Sequence, residues 1–289
     1  MSFREEFLKF KQPSSQREDF VFDSIKRYVS KDSILQSLQP ISVDKNGFKV
    51  TYYVMPDYLS IDNVRLPMSG KTAQKVADYF GLLLPSPEIS REIYNNSDIK
   101  FSANPLSNSG ATINGKKYTG KQVVDKGVGY ADFALIYNEN INKDIFNRNV
   151  KKNQIIYGFA KDITSPIIGH ENKLGLYGFY DKKGKPIQGG SGRTPHNIDT
   201  HTEYGAFVRL IHPKAEVMYK DGKSEKKDIS SIYNVSSYTK GKDNNTKITD
   251  NSYDDIINKD IISILNDIKI AYMCRRFNIL KRSSILIKE

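Results

Sequence analysis

Between Gly47 and Gly81 the apolar residues change their period, and that change restricts the chain to a mixed architecture. Phe48, Val50, Tyr52 and Val54 alternate with Lys49 and Thr51, the two-residue repeat of a strand, until Pro56 breaks the run. A second extended piece is expected over 58–66. Ser69 then stands before KTAQKVADYFG, where Ala73, Val76, Ala77 and Phe80 share one helical face and Gly81 supplies a stop.

Helices are expected on the N-terminal side. Residues 1–11 form a short amphipathic helix ended by Pro13. Ser14 or Ser15 caps a second, with acidic residues in its first turn and an apolar stripe of Phe20, Ile25, Tyr28 and Val29. A third runs from Asp32 to Leu38 and stops before Pro40. Ser86 ahead of Pro87 marks a further helix start.

From Asp98 to Gly129 the chain is rich in Asn, Gly and Ser and reads as an exposed excursion with a hairpin at Asn114-Gly115. ADFALIYNENINKDIF returns to helix. Asp221-Gly222 closes a hairpin with AEVMYK. Residues 223–251 are polar and of low complexity, and read as a mobile loop or linker. From Ser252 onward Ile257, Ile261, Ile264, Leu265, Ile268 and Tyr272 recur at helical spacing, ending in Arg275, Arg276, Lys281 and Arg282. The expected fold class is α+β: N-terminal helices over 1–40, a mixed core with a β-rich site over 41–222, the linker, and a long C-terminal amphipathic helix over 252–289.

The chain has 289 residues, 38% of them hydrophobic, and a formal charge of +11. That balance favours an anionic partner, whether a cell-wall polymer, a membrane surface or nucleic acid. One cysteine, Cys274, excludes an internal disulfide framework and a cysteine-based zinc knuckle. MSFREEFLKF lacks the apolar core of a secretory signal, and no apolar run is long enough to span a bilayer. Synthesis in a cytoplasm is expected, with exit by lysis, in a virus particle or through a dedicated apparatus.

Chemistry concentrates between Ile155 and Met218, where all four histidines lie: His170, His196, His201 and His212. Two echoing segments, IIYGFAKD and LGLYGFYD, precede a glycine-rich turn and the run from His196 to Leu210. A strand over Thr200–Leu210 would place Tyr204, Ala206, Val208 and Leu210 in the core. It would line a groove with His201, Glu203 and Arg209. Two chemistries fit. His196, Asp199 and His201, with His170, supply ligands for a metal such as zinc, with Glu203 as general base. Alternatively a histidine with a carboxylate orienter acts without metal, Arg209 holding an anion. The bland alternative is that these groups satisfy backbone donors in a glycine-rich turn. His212, before Pro213, reads as loop chemistry. Gly189-Gly190-Ser191-Gly192-Arg193 is not a phosphate loop, since it lacks Lys-Ser/Thr and Pro195 follows instead of a helix.

Two stretches resemble a family of uncharacterised bacterial proteins, over about residues 30–106 and 155–218. TYYVMPDYLSI, KTAQKVADYFG and LLLPSP are similar to its V-M-P-D-Y-L-A-I, T-A-Q-x-I-A-D and L-P-T segments. LYGFYDKKGKPIQ and EYGAFVRLI are similar to its I-Y-G-W-H…G-x-P-I-Q and Y-x-D-Y-S-H-G-[IV]-R-L. The family's G-H-K-K-D falls on Gly158 to Asp162. Its histidines then fall on Phe159, Tyr180 and Ala206, while His196 keeps one and Glu203 stands for its aspartate. The resemblance brings no established activity. Its last motif is also similar to that of L,D-transpeptidases, which act on peptidoglycan through a cysteine. Phe207 occupies that cysteine's place here, which excludes thiolate chemistry at the position.

Together these point to a peptidoglycan-directed, hydrolase-like protein of a phage or mobile element, with a degenerate or rebuilt site. The alternatives are a non-catalytic virion component assembling with other virion proteins, and a basic nucleic-acid-binding protein.

Overall fold

The computed structural model describes residues 2–11, 13–106, 111–113, 116–118, 130–166, 174–189, 202–233 and 235–238. These all lie within one compact unit, Met1–Lys247. The chain starts with α1 (Phe3–Phe7), α2 (Ser15–Tyr28) and α3 (Lys31–Ser37). Ser14 caps α2 by accepting from the Arg17 N–H. The fully buried Arg17 guanidinium donates to Glu18 (2.6 Å) and to the Pro67 carbonyl (2.8 Å), and Glu18 accepts from the Ser69 N–H (2.8 Å). This buried pair fastens α2 to the start of α4 (Gly70–Phe80). Ser69 caps α4 and Gly81 ends it at φ +71°. Ser86 caps α5 (Pro87–Asn96), with proline in the first turn, where its missing N–H costs no bond.

The first sheet has the order β1-β2-β13-β14, antiparallel throughout: β1 (Gln39–Lys45), β2 (Phe48–Val54), β13 (Ile211–Met218) and β14 (Ser224–Asp228). The β2 alternation holds, with Val50, Tyr52 and Val54 buried. β1 was not expected, because Pro40 reads as an ending. An edge strand tolerates proline, and Asn46-Gly47, at φ +52° and +86°, makes the tight turn into β2. The extended piece over 58–66 is instead a small hairpin of β3 (Ser60–Ile61) and β4 (Val64–Arg65), turning at Asp62-Asn63 with φ +50° and +60°.

The second sheet has the order β11-β10-β9-β12: β9 (Lys161–Thr164), β10 (Gly175–Tyr180), β11 (Pro186–Gly189) and β12 (Ala206–Phe207). Only the β9–β12 pairing in it is parallel. β5 (Ile99–Lys100) pairs in parallel with β8 (Ile156–Tyr157), whereas β6 (Ala111–Ile113) and β7 (Lys116–Tyr118) pair antiparallel as the hairpin expected there. The helix α6 (Tyr130–Asn147) docks on β4 through Asn138. The Asn138 side-chain amide accepts from the Arg65 N–H (2.7 Å) and donates to the Arg65 carbonyl (3.1 Å), as a neighbouring strand would.

Two apolar clusters result. One lies under the first sheet around Val50, Tyr52, Ile93, Tyr157 and Val217. The other joins Tyr58, Phe101, Tyr137, Phe159, Phe179 and Phe207.

Part of the stretch expected as a linker is built into this core. Residues 224–228 form β14, and α7 (Ile229–Ile232) follows. Ile229, Tyr233 and Tyr238 are buried. Tyr233 donates to Glu92 (2.7 Å), and Tyr238 donates to the Thr164 carbonyl (2.8 Å) while accepting from the Gly175 N–H (2.6 Å). Three well-placed apolar side chains suffice to hold a mainly polar segment. Residues 239–251 and the expected helix over 252–289 lie outside the described residues.

Candidate functional site

β9 lies between β10 and β12, and alternation along it sends Asp162 inward and Lys161 toward the surface. Asp162 is fully buried. Its Oδ2 accepts from Ser90 Oγ and from the Tyr157 hydroxyl, both at 2.6 Å, and its Oδ1 lies 3.9 Å from Arg209 Nε. Burial pushes the carboxyl above the usual carboxylate range, and Arg209 with the hydroxyl donors opposes that. Arg209 is equally buried. Its guanidinium donates to the carbonyls of Met55 (2.6 Å), Pro56 (3.0 Å) and Ile156 (2.8 Å), with the Tyr58 and Tyr157 rings 4.4 and 5.1 Å away.

The expectation that Arg209 lines a groove is therefore corrected. Among the described residues of the expected strand, regular strand covers only Ala206–Phe207, and every side chain from Ala206 to Leu210 is buried, as is Ile211. On leaving β12 the chain accepts bonds at Val208 and Leu210 from the N–H groups of Leu59 and Met55. A segment covered on both faces has no groove face, whatever its alternation. Arg209 ties the loop carbonyls of Met55 and Pro56 to the Ile156 carbonyl of β8, which is a structural use of its five donors.

Glu203 sits half-buried in the turn before β12 and forms an ion pair with Lys161. The Lys161 ammonium stands 5.1 Å from the Phe179 ring centroid. Phe179 lies in an unshifted stretch of the β10–β11 register, where Tyr177, Gly178 and Tyr180 stand opposite Gly189, Gln188 and Pro186. Within that stretch Gly178 takes φ +125° and Phe179 φ +57°. A Cβ on Gly178 would meet the Ala160 carbonyl at 2.7 Å, so only glycine fits. Gly205 is closed in by Phe179 and Tyr137, which a Cβ would meet at 3.3 and 3.4 Å. Thr202 Oγ1, beside His201 in the chain, is buried without a hydrogen-bond partner.

Glu203 of this pair stands two residues beyond the segment 190–201 in the chain. His196, Asp199 and His201, in that segment, and His170 lie outside the described residues. Among the described residues no group of three or more His, Cys, Asp and Glu side chains is placed to hold a metal ion. The fourth histidine is not loop chemistry. His212 is buried in β13, at the irregularity between Ile211 and Ala215, and its Nδ1 accepts from the Lys214 N–H (3.1 Å). Burial lowers its pKa to about 4.

No family model, curated protein or solved structure matches the chain. The site is accordingly read from its own geometry. The positions on which the resembled family's histidines fall lie in or beside the second sheet. Ala206 pairs with Lys161 and the Tyr180 N–H donates to the Gly158 carbonyl (2.9 Å), while Phe159 packs in the second apolar cluster and Tyr180 in the first. All three are buried, and Tyr180 stacks on Tyr94 with centroids 3.4 Å apart.

Sequence reasoning missed Lys161, Asp162, Ser90, Tyr58 and Tyr157. One signal for them was present, the echo of Tyr-Gly-Phe in IIYGFAKD and LGLYGFYD. Both glycines, Gly158 and Gly178, take positive φ (+107° and +125°). Both following phenylalanines enter one cluster.

Proposed function

We propose that the chain is a wall-directed protein of a phage or mobile element that binds its polymer without cleaving it, on a scaffold resembling that of wall-associated enzymes. One observation carries the reading: Phe159, Tyr180 and Ala206, all buried, occupy the places where the resembled family has histidine. General acid–base catalysis needs a titratable group within hydrogen-bond reach of substrate, and those positions offer side chains packed into the core. The charge of +11 suits an anionic wall polymer. The reading is tested by sedimenting the full chain with isolated walls while assaying soluble fragments and new amino groups. Retention without release is expected. Release by the purified protein would overturn the non-cleaving reading.

A hydrolase is the second reading, favoured by Glu203, which meets the surface next to the segment bearing His196, Asp199 and His201. It requires His196→Ala and Glu203→Ala each to lower fragment release by about 100-fold or more, and its zinc form requires loss with a chelator and recovery with zinc. Salt-sensitive retention on DNA without retention on walls would favour the nucleic-acid reading over both.

A further inference from the structure

The end of α6 carries a groove that nothing above uses. Asn149 takes φ +52°, its N–H donates to the Phe146 carbonyl (3.0 Å), and the Val150 N–H donates to the Ile145 carbonyl (3.3 Å). That is the Schellman stop, which normally brings the side chains at the Ile145 and Val150 positions into apolar contact. Both line a groove of about 540 Å³, together with Asn63, Asn142, Phe146 and Asn149. The volume falls in the range of small-ligand sites.

The stop explains Ile145, Val150 and the backbone of Asn149. It does not explain Phe146, whose ring is 81% exposed. Nor does it explain how firmly the polar wall is held. Asn142 accepts from Arg65 Nη1 (2.8 Å) and donates to the Asn63 carbonyl (2.9 Å), which fixes its amide. Asn63 and Asn149, both at positive φ and both exposed, add amides to the lining.

The lining selects a chemical class. It holds no charged side chain, so a phosphate or carboxylate would gain no counter-charge. A purely apolar ligand would cover the exposed amides of Asn63 and Asn149 and satisfy neither. A primary amide offers donors and an acceptor side by side, matching hydroxyl and N-acetyl groups. The electron-rich face of an exposed phenylalanine attracts weakly positive C–H groups, such as those on one face of a pyranose ring.

We propose that this groove binds a neutral saccharide, a unit of an N-acetylated hexosamine chain. The choice of that sugar rests on the wall-directed reading above, whereas the saccharide chemistry rests on the groove itself.

The test is calorimetric titration of the full chain with the tetramer of N-acetylglucosamine. Saturable binding is expected. Phe146→Ala should weaken it at least about 10-fold by removing the stacking face. Asn149→Gly keeps the left-handed stop and should weaken binding measurably with no loss of melting temperature. No saturable binding, or equal binding by wild type and Phe146→Ala, overturns the proposal. Wall sedimentation separates the two claims. If walls retain the protein but the tetramer does not bind, the groove falls and the wall reading stands. If the tetramer binds through Phe146 but walls retain nothing, the wall reading falls and the groove stands.

Discussion

Lys161 and Asp162 are consecutive on β9, each faces an opposite charge, and the two pairs differ in almost every other respect. Asp162 and Arg209 are closed off from solvent, and their hydrogen bonds are made to hydroxyls and backbone carbonyls. Lys161 and Glu203 keep part of their side chains in water. The buried pair cannot recover hydration if one partner is removed, and the surface pair can. The first therefore belongs to the fold, and the second meets solvent.

The largest effect that would test this division is at Arg209. Arg209→Met leaves three carbonyls without their donor and the buried Asp162 carboxylate without its counter-charge. It should cost about 3–5 kcal/mol, read as a lower urea midpoint or as failure to fold. If the variant keeps its stability and loses only wall binding, the division between strut and site is wrong.

A second buried polar group, His212, sharpens the contrast through pH. Its pKa is lowered to about 4, so between the unfolded value of about 6.5 and 4 the unfolded chain binds a proton that the folded chain does not. Stability should therefore fall as pH drops through that window, by up to roughly 3 kcal/mol, and level off below it. Urea unfolding across pH 7 to 4 reads this. In His212→Gln the slope over the window should be smaller, and an unchanged slope would place the effect elsewhere.

Tyr233 is an intermediate case, joined with Tyr52 on the partly buried Glu92. Tyr233→Phe should cost about 1 kcal/mol, and a non-specific protease should then cut within 224–238, which resists in the wild type. Ready cleavage there in the wild type would return the segment to a linker.

The smallest effect is expected at the surface pair. Glu203→Gln and Lys161→Gln should each change stability by no more than about 1 kcal/mol. A larger loss would move this pair to the structural side of the comparison.

The site was only partly legible in the sequence. Alternation over 200–210 placed Tyr204, Ala206, Val208 and Leu210 in the core, where the last three are buried and Tyr204 half-buried, but it also assigned Arg209 to an open face. Alternation says which side chains share a side of a strand. It does not say what covers that side, and here the cover is the loop 55–59, far away in the chain. Asp162 carried no local signal, because its partners come from α5, β8 and the chain beyond β12.

What the sequence by itself determined is the set of features whose energies are settled within a few residues. Ser14, Ser69 and Ser86 cap helices because a hydroxyl reaches an N–H three residues on. Gly81 and Asp221-Gly222 mark stops and turns because few residues accept positive φ. Only the tertiary structure decided that β1 pairs despite Pro40 and that Tyr233 and Tyr238 draw a polar stretch into the core. It also decided that Arg209 is a strut and that Phe146 stands uncovered beside three asparagines. Each of those outcomes depends on surfaces distant in the chain being brought together, and burial and charge compensation are properties of the assembled neighbourhood.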